Sequence, residues 1–287
     1  MIPPSFDYHA PSTVAEAVGL LAQLGDDAKI LAGGHSLLPM MKLRFAEPGA
    51  LIDLNRIDAL RGVSEEGGKI RIGAMTTENQ LIASDLLKTR VPLLPEAARQ
   101  IADPQVRNRG TIGGDIAHGD PANDHPAIAM ALDATFVITG PNGERQVPAT
   151  EFFLGTYYTA IEADEILTAI LVQPFAPKTG YAYTKLKRKT GDWATAAAAV
   201  VMTMDGDRVA SVRIGLTNVA PTALRASDAE QSLVGKTLDA ATLDEVARLV
   251  RGVAEPAADL RGDEEYKTAM AGEMTKRALR QAAERCR

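Results

Sequence analysis

The sequence predicts an α+β fold in two domains, and three observations support this prediction. The 287 residues are 46% hydrophobic and 24% charged, a balance typical of globular proteins long enough for two cores. Helical and strand-like segments follow one another without the regular alternation of a doubly wound parallel sheet. Pro174, Pro177 and Gly180 separate two parts of different character. We therefore predict domains at 1–177 and 178–287.

The N-terminal domain begins with a helix and two short strands. In the segment PSTVAEAVGLLAQLG, Thr13 and Glu16 are spaced as a capping box and Gly25 provides a stop signal. The apolar runs KILA and ALIDL predict the two strands, and the residues AGGHS overlap the end of the first run. A glycine-containing loop is therefore expected directly after a strand.

The remainder of this domain mixes strand and helix signals. KIRIGAMT at 69–76 alternates as a strand does, whereas TENQLIASDLL and PLLPEAARQIA have helical patterns. The segment ATFVITGPNGERQVPA predicts a β-hairpin that turns at residues 141–143, and EILTAILVQ predicts a further strand.

The C-terminal domain is predicted to be an antiparallel meander followed by helices. The strands are YAYTKLKRK, ATAAAAVVMTM and RVASVRIGLTNV, with a turn at residues 205–207 between the last two. Helical stretches with apolar stripes cover 225–233, 238–253 and 263–285. A small sheet packed against three helices follows from this pattern.

Net charge and cysteine content exclude several classes of function. A formal net charge of −6 does not provide the basic surface that DNA or RNA binding requires, so we expect no nucleic-acid partner. Cys286 is the only cysteine, so this chain cannot form an internal disulfide or hold a cysteine-ligated zinc ion or iron–sulfur cluster. There is no signal-peptide pattern and no run of about 18 apolar residues. We expect a soluble, cytoplasmic protein.

Two glycine-rich loops are the main candidates for a ligand site. The first comprises Ala32, Gly33, Gly34, His35 and Ser36, and the second comprises Gly110, Thr111, Ile112, Gly113, Gly114 and Asp115. Paired glycines can adopt positive φ and let N–H groups converge on phosphate oxygens, and each loop adds a hydroxyl. The pair therefore predicts a diphosphate held between two loops. Neither loop matches G-x-G-x-x-G, so no Rossmann site is predicted.

The stretch from residue 114 to 125 is dense in Asp, Asn and His. Its spacing fits no EF-hand or H-E-x-x-H motif, and such residues in a loop commonly serve turns, so we predict no metal site. Asp124 is the candidate to accept hydrogen bonds from ligand hydroxyls. His35 and His118 are expected to line the ligand site, since no nucleophile-and-base motif accompanies them.

A basic run and a lone tryptophan each admit two interpretations. Lys185, Lys187, Arg188 and Lys189 are either a solvated strand end or a contact for a cofactor or partner. Trp193 either covers a flat aromatic ligand or belongs to the core. The same alternatives apply to Tyr157 and Tyr158.

Five motifs together resemble a known family: AGGHSLLPMMKLR, IADPQVRNRGTIGGD, GDPANDHPA, KLKRKTGDWATAAAAVVMT and GLTNVAPTALRA. They are similar to the FAD-binding medium subunits of aerobic, molybdenum-containing carbon monoxide dehydrogenases, within the molybdenum hydroxylase flavoproteins that include xanthine dehydrogenase. The resemblance covers essentially the whole chain. The glycine pairs point only to the broad family, whereas the KLKRKTGDWATAAAA block points to the narrower group.

This resemblance implies a PCMH-type FAD-binding domain with lobes at about 1–57 and 58–177, followed by the C-terminal domain of carbon monoxide dehydrogenase flavoproteins. It implies FAD as the cofactor and two partners: a large molybdenum–copper subunit and a small subunit with two two-iron two-sulfur clusters. The assembly would be a dimer of heterotrimers that passes electrons from carbon monoxide to a quinone or other acceptor. Any association with the inner face of the membrane would come through the partners.

The resemblance also assigns residues to the cofactor. Residues 32–36 and 111–115 would bind the FAD diphosphate and neighbouring groups, and Asp124 would contact ribityl or ribose hydroxyls. Leu167 and Lys185 are weaker matches to the family pattern. Trp193 stands where similar subunits often have a tyrosine against the isoalloxazine ring.

Two alternatives remain open from the sequence. One is the flavoprotein subunit of another molybdenum hydroxylase, with an aldehyde or N-heterocycle as substrate. The other is a nucleotide-binding module without redox function.

Overall fold

The N-terminal lobe is a small parallel sheet with two helices. The computed structural model describes residues 2–286. The elements of this lobe are β1 (Asp7–His9), α1 (Val14–Leu24), β2 (Ala28–Leu31), α2 (Leu37–Leu43) and β3 (Ala50–Asp53). The outer strands β1 and β2 both pair in parallel with β3. Strand β2, helix α2 and strand β3 thus form one βαβ unit, which the described residues do not extend into a doubly wound series.

Helix α1 shows how far the capping prediction holds. The Thr13 side chain accepts from the N–H of Glu16 at 3.1 Å, as predicted. The Glu16 carboxylate, however, accepts from the N–H of Ser12 at 2.7 Å instead of from Thr13. Only one half of the capping box is therefore formed, and Gly25 ends the helix with a φ of 61°.

The second lobe is a five-stranded antiparallel sheet with helices. Its strands are β4 (Val63–Glu66), β5 (Lys69–Gly73), β6 (Thr135–Gly140), β7 (Gly143–Pro148), the small hairpin β8 (Phe153–Gly155) and β9 (Tyr158–Thr159), and β10 (Ile166–Val172). Its helices are α3 (Glu78–Ala83), α4 (Asp85–Arg90), α5 (Leu93–Ala98), α6 (Pro104–Arg107), α7 (Ile112–His118), α8 (Asp124–Leu132) and α9 (Ala149–Phe152). The order in the large sheet is β4-β5-β10-β6-β7, and β6–β7 is the predicted hairpin.

The C-terminal part follows its prediction closely. It contains β11 (Gly180–Leu186), β12 (Ala196–Asp205), β13 (Arg208–Thr217), β14 (Leu224–Arg225), α10 (Ser227–Leu233), α11 (Ala240–Val253) and α12 (Glu264–Glu284). The four strands pair antiparallel in chain order. The α+β class, with a two-lobed first part and a sheet-plus-three-helix second part, is confirmed. The boundaries at 57 and 177 stay predictions.

Helix α8 joins the two parts. All nine of its residues are buried, because it packs between the large lobe and the face of β12 and β13 that α12 leaves open. Gly215 in β13 lies so close to α8 that a Cβ atom there would overlap the carbonyl oxygen of Ala127. Asp124, the first residue of α8, is therefore buried between the large lobe and the C-terminal sheet.

Two helices replace the loop that was predicted around residues 110–125. Residues 112–118 form α7 and residues 124–132 form α8. Paired glycines in the first turn of α7 disfavour a helix in isolation. The turn forms because Gly113 packs where a Cβ atom would overlap Ala74 after β5, so tertiary contact overrides local propensity.

Candidate functional site

The first glycine segment, residues 32–36, joins β2 to α2. Gly34 has a φ of 77°, the left-handed conformation that was predicted for this loop. Within residues 2–286, no protein acceptor receives a hydrogen bond from the backbone N–H groups of Gly33, Gly34, His35 or Ser36. His35 is exposed, and the Ser36 hydroxyl makes no capping bond to α2. The segment presents free donors of the kind that hold phosphate oxygens.

The second glycine segment, residues 110–115, differs from its prediction. Thr111 caps α7 by accepting from the N–H of Gly114 at 3.2 Å. The N–H groups of Ile112 and Gly113 donate to backbone carbonyls just after β5, at 3.0 and 2.9 Å. Its glycines all have negative φ, because the segment starts a helix. The N–H groups of Ile112, Gly113 and Gly114 therefore have protein acceptors, and the Ile112 side chain lies in the core. A contribution of residues 111–115 to a phosphate site stays a prediction.

The two segments nevertheless touch one another. A Cβ atom at Gly33 would lie 2.5 Å from the carbonyl oxygen of Arg109, and one at Gly114 would lie 3.3 Å from the Cβ of Ala32. The glycines therefore permit a close approach of two backbones. The two glycine segments, which are far apart in sequence, therefore lie side by side and form one edge.

Asp124 and Lys185 form a buried ion pair beside this edge. The Nζ of Lys185 donates to Oδ2 of Asp124 at 2.7 Å, and the two side chains are 1% and 6% exposed. The Tyr183 hydroxyl donates to the other oxygen of Asp124. Lys185 is therefore buried and paired, and the solvated-strand interpretation is wrong for it. Its role in cofactor binding stays a prediction. The solvated-strand interpretation holds for Arg188 and Lys189, which are exposed.

A second buried pair, Glu78 and His125, was missed by the sequence analysis. Nε2 of His125 lies 3.0 and 2.9 Å from the two carboxylate oxygens of Glu78, and both side chains are at most 3% exposed. The backbone N–H of His125 donates to Oδ2 of Asp115 at 3.3 Å. Glu78 and His125 are 47 residues apart, so no local pattern could have joined them.

These groups perturb one another's titration. Burial raises the pKa of Asp115 to about 7, with Glu78 and Asp124 adding to the effect and His125 opposing it. Burial alone would lower the pKa of His125, but the charges of Glu78, Asp115 and Asp124 outweigh it and raise that pKa to about 9. His125 is therefore a buried cation at neutral pH.

We expect the free energy of unfolding to fall by about 1–3 kcal/mol between pH 6.5 and pH 9. The pKa of His125 is raised from 6.5 to about 9 on folding, so the folded state binds more protons across this window. The stabilisation is fully present below the unfolded pKa and is lost as pH rises through the folded value. Asp115, raised from 3.8 to about 7, has the same sign in its own window. Urea unfolding at several pH values measures the slope, and a flat profile would contradict the assignment.

Trp193 lies on a loop that the C-terminal domain anchors. Its indole is 49% exposed, so the core-tryptophan interpretation is wrong. The guanidinium of Arg261 stands over the ring, 5.4 Å from its centroid, and also donates to Oδ1 of Asp192 at 2.8 Å. The backbone N–H of Trp193 donates to the same oxygen at 3.0 Å. Contacts with Arg261 and Asp192 thus fix the position of Trp193, and its indole presents an exposed aromatic surface.

Replacing Trp193 by alanine is expected to change the free energy of unfolding by less than about 1 kcal/mol, because a half-exposed ring leaves no sealed cavity. If the indole covers a bound flavin, the same change should brighten flavin emission and loosen the cofactor, whereas tyrosine should retain most of the stacking. Thermal midpoint and bound-flavin emission are measured on the same samples. Unchanged emission in a folded, flavin-loaded alanine variant would remove Trp193 from the site.

The remaining candidates lie in varied surroundings. Leu167 is a buried core residue at an irregularity in β10. His118 is partly buried at the end of α7 and its ring lies 5.0 Å from that of Tyr157. Tyr157 and Tyr158 are exposed, so neither belongs to the core. Burial lowers the pKa of His118, which leaves it neutral at physiological pH.

Residues 2–286 contain neither a metal-binding cluster nor a membrane-spanning helix. No group of three or more His, Cys, Asp or Glu side chains is arranged to hold a metal ion. No helix in that range combines the length and the apolar character needed to cross a membrane.

Comparison with known proteins identifies the class. Residues 4–174 match the model of the FAD-binding domain in molybdopterin dehydrogenase, and residues 181–282 match that of the C-terminal domain of the CO dehydrogenase flavoprotein. The chain belongs to this family of FAD-binding subunits.

Individual relatives indicate a narrower group within this family of FAD-binding subunits. The carbon monoxide dehydrogenase medium chain of Hydrogenophaga pseudoflava is 62% identical over 286 residues, covering 100% of both chains. A solved Cu,Mo-CO dehydrogenase has a chain with TM-score 0.98 and 52% identity, covering 99% of this chain and 100% of that one. Quinoline 2-oxidoreductase from Pseudomonas putida 86 gives TM-score 0.94 and 35% identity, covering 99% of each. The resemblance to carbon monoxide dehydrogenase medium subunits is confirmed.

The chain is thus an oxidoreductase subunit whose cofactor is FAD, as predicted. The described residues fit that cofactor. Free N–H donors on residues 33–36 suit a diphosphate, and the exposed indole of Trp193 suits a flat ring.

Proposed function

We propose that the chain is the FAD-carrying electron-transfer subunit of a heterotrimeric aerobic carbon monoxide dehydrogenase. The observation that supports this most directly is the 62% identity to the Hydrogenophaga pseudoflava medium chain over the full length of both proteins. Identity to the quinoline enzyme is only 35%, although its fold is the same. Carbon monoxide is therefore the favoured substrate of the assembly.

The proposed cofactor site is the edge where the two glycine segments meet. Residues 32–36 bind the diphosphate through their free N–H groups, and residues 111–115 support them from α7 and add the Thr111 hydroxyl. Among the described residues, the N–H groups of the second segment other than that of Thr111 already have protein acceptors, so the first segment provides most of the donors. The two segments thus contribute different numbers of N–H donors, whereas the sequence predicts only that a diphosphate lies between them.

Asp124, Lys185, Leu167 and Trp193 complete the proposed site. The Asp124 carboxylate already accepts from Lys185 and Tyr183, but a carboxylate has about four acceptor positions and can also accept from a ribityl or ribose hydroxyl. Leu167 contributes packing from the core behind it. Trp193 covers one face of the isoalloxazine ring, with Arg261 holding the indole in place.

When bound, FAD supplies a ring that accepts and releases electrons singly or in pairs. The chain itself holds and orients the ring, and Trp193 limits access of water and oxygen to one face. Substrate oxidation belongs to the partners: a large subunit with molybdenum and copper and a small subunit with two two-iron two-sulfur clusters. The single cysteine, Cys286, supports this division, because the described chain has no ligand set for such clusters. A dimer of heterotrimers, a quinone or other acceptor and a cytoplasmic location complete the proposal.

The assembled protein, purified from its native host, tests this function. We expect FAD in a one-to-one ratio with the chain, and bleaching of the flavin band when carbon monoxide is added. The chain separated from its partners and supplied with FAD should show no bleaching, since it has no centre that oxidises carbon monoxide. Bleaching in the lone chain, or none in the assembly, would overturn the assignment.

The second candidate is the flavoprotein subunit of a hydroxylase for an aldehyde or N-heterocycle. The fold shared with quinoline 2-oxidoreductase supports it. Bleaching of the assembly by such a substrate, and not by carbon monoxide, would favour this candidate. The non-redox nucleotide-binding interpretation is wrong, because the family is one of FAD-dependent oxidoreductase subunits.

A further inference from the structure

The Glu78–His125 pair is not explained by the packing around it. Helices α3 and α8 contribute one charged group each to a region whose neighbours are apolar, including Leu81, Ile112 and Ile128. A buried ion pair contributes little net stability, because desolvation offsets the attraction, and apolar residues of similar volume often serve as well. A role for this pair should therefore lie in what it holds in place.

Both members of the pair contact the second glycine segment. The N–H of Glu78 donates to the carbonyl of Gly110 at 3.2 Å, while its carboxylate reaches His125. The N–H of His125 donates to the Asp115 carboxylate at 3.3 Å, and Asn123 donates to the Asp115 carbonyl at 3.0 Å. The pair thus closes a ring of contacts between α3, α7 and α8.

The charges around His125 explain why a cation is needed there. The charged groups that act on it are Glu78 on α3, Asp115 on α7 and Asp124 on α8. Asp124 in turn contacts Lys185 and Tyr183 on β11. Above about pH 7, where Asp115 is also ionised, three carboxylates are therefore balanced by two cations, His125 and Lys185. Without a charge on His125, Asp115 and Asp124 would repel each other and any diphosphate nearby.

Among the residues that the structure describes, Glu78 is also the only side chain that bonds the imidazole. Within residues 2–286, Nδ1 of His125 is buried without a partner. The ring borders a cavity of about 10 Å³ that is otherwise lined by apolar residues. The orientation and the protonation of the ring consequently depend on Glu78.

We propose that Glu78 and His125 are positioning residues for the cofactor site, acting through Asp115 and Asp124. The proposal rests on the FAD site described under the proposed function. The His125 cation keeps the two carboxylates in place at the start of α7 and α8, and Glu78 keeps His125 charged. Neither residue needs to touch FAD.

The test compares Glu78→Gln, which retains shape and an acceptor but not the charge, with Glu78→Asp, which retains the charge. Flavin release from the assembled protein is followed by fluorescence as pH is stepped from 6 to 9. We expect the midpoint of release to move down by about one pH unit or more in Glu78→Gln, since loss of the anion lowers the affinity of His125 for its proton about tenfold or more. Glu78→Asp should stay near wild type.

Glu245→Gln is the matched control, because Glu245 also pairs with a cation, Arg248, but on the surface of α11. Its release profile should equal that of wild type. Superimposed profiles for Glu78→Gln and wild type, with equal flavin content, would overturn the proposal.

A second measurement distinguishes failure of the positioning role from failure of the proposed function on which it rests. The His125 ring is titrated by NMR in the flavin-free full chain, where its midpoint should fall in Glu78→Gln and stay high in Glu78→Asp. Unchanged titration in Glu78→Gln overturns the positioning role. Absence of flavin from the wild-type assembly at every pH instead overturns the proposed function, and the positioning of Asp115 for FAD falls with it.

Discussion

Replacing Lys185 by methionine is expected to lower the free energy of unfolding by about 3–5 kcal/mol, the cost of leaving a buried charge unpaired. The substitution keeps the length of the side chain but leaves the Asp124 carboxylate, among residues 2–286, with only the Tyr183 hydroxyl as a side-chain donor. Because Asp124 begins α8, which packs between the two domains, the loss should affect the whole molecule. Urea unfolding at pH 7.5 measures the effect.

Two further variants make this prediction specific. Lys276→Met removes the partner of Asp244, a carboxylate that is 69% exposed, and should cost less than about 1 kcal/mol. The double variant Lys185→Met, Asp124→Leu should recover much of the loss, since neither charge of this pair is then left buried without its partner. Equal losses for the two lysines, or a double variant worse than the single one, would contradict the buried-pair explanation.

Local signals were sufficient for much of the fold. The capping residue Thr13, the turn at residues 141–143 and the turn at 205–207 lie within the elements that they define, so a short window contains the information. The three C-terminal helices have apolar stripes over several turns and were found within a few residues of their ends. Each of these features depends on contacts between near neighbours in the chain.

Helices α7 and α8 could not be found in this way. The start of α7 contains two glycines, and α8 has apolar residues on every side because both of its faces are covered. A helix without a polar face gives no periodic signal. Its segment also begins with Asp, His and Pro, residues that in a short window indicate a turn.

The ion pairs of the site are even harder to predict from the sequence than these helices. Lys185 meets Asp124 across 61 positions, and Arg261 reaches Asp192 across 69. Whether a lysine in a basic run is solvated or buried depends on such partners, and so does the exposure of Trp193. Motif resemblance predicts Asp124 and Lys185 as site residues, but not that they pair with each other.

Replacing Gly33 by alanine should reduce FAD retention by at least about tenfold while the chain stays folded. The added Cβ atom would lie 2.5 Å from the carbonyl oxygen of Arg109 and 2.8 Å from the Cα of Gly110. Both are backbone atoms that no side-chain rotation can move, so the two glycine segments must separate, at a cost of roughly 1–3 kcal/mol. Their separation displaces the free N–H groups of residues 33–36 from the proposed diphosphate site.

A graded series of glycine variants decides whether this contact or general strain is responsible. Gly114→Ala should have a smaller effect, because its Cβ atom would meet the movable hydroxyl of Thr111 at 2.8 Å and the Cβ of Ala32 at 3.3 Å. Gly19 lies on the exposed face of α1, where an added Cβ atom would meet no described atom within 4 Å apart from the backbone of its own helix. Gly19→Ala should therefore retain FAD fully, with stability unchanged or raised by up to about 1 kcal/mol. The flavin-to-protein ratio of the assembled enzyme and the far-ultraviolet circular dichroism of each chain are measured together. Normal flavin content in Gly33→Ala would place the diphosphate elsewhere, because no arrangement of these two segments accommodates the methyl group without moving the donors.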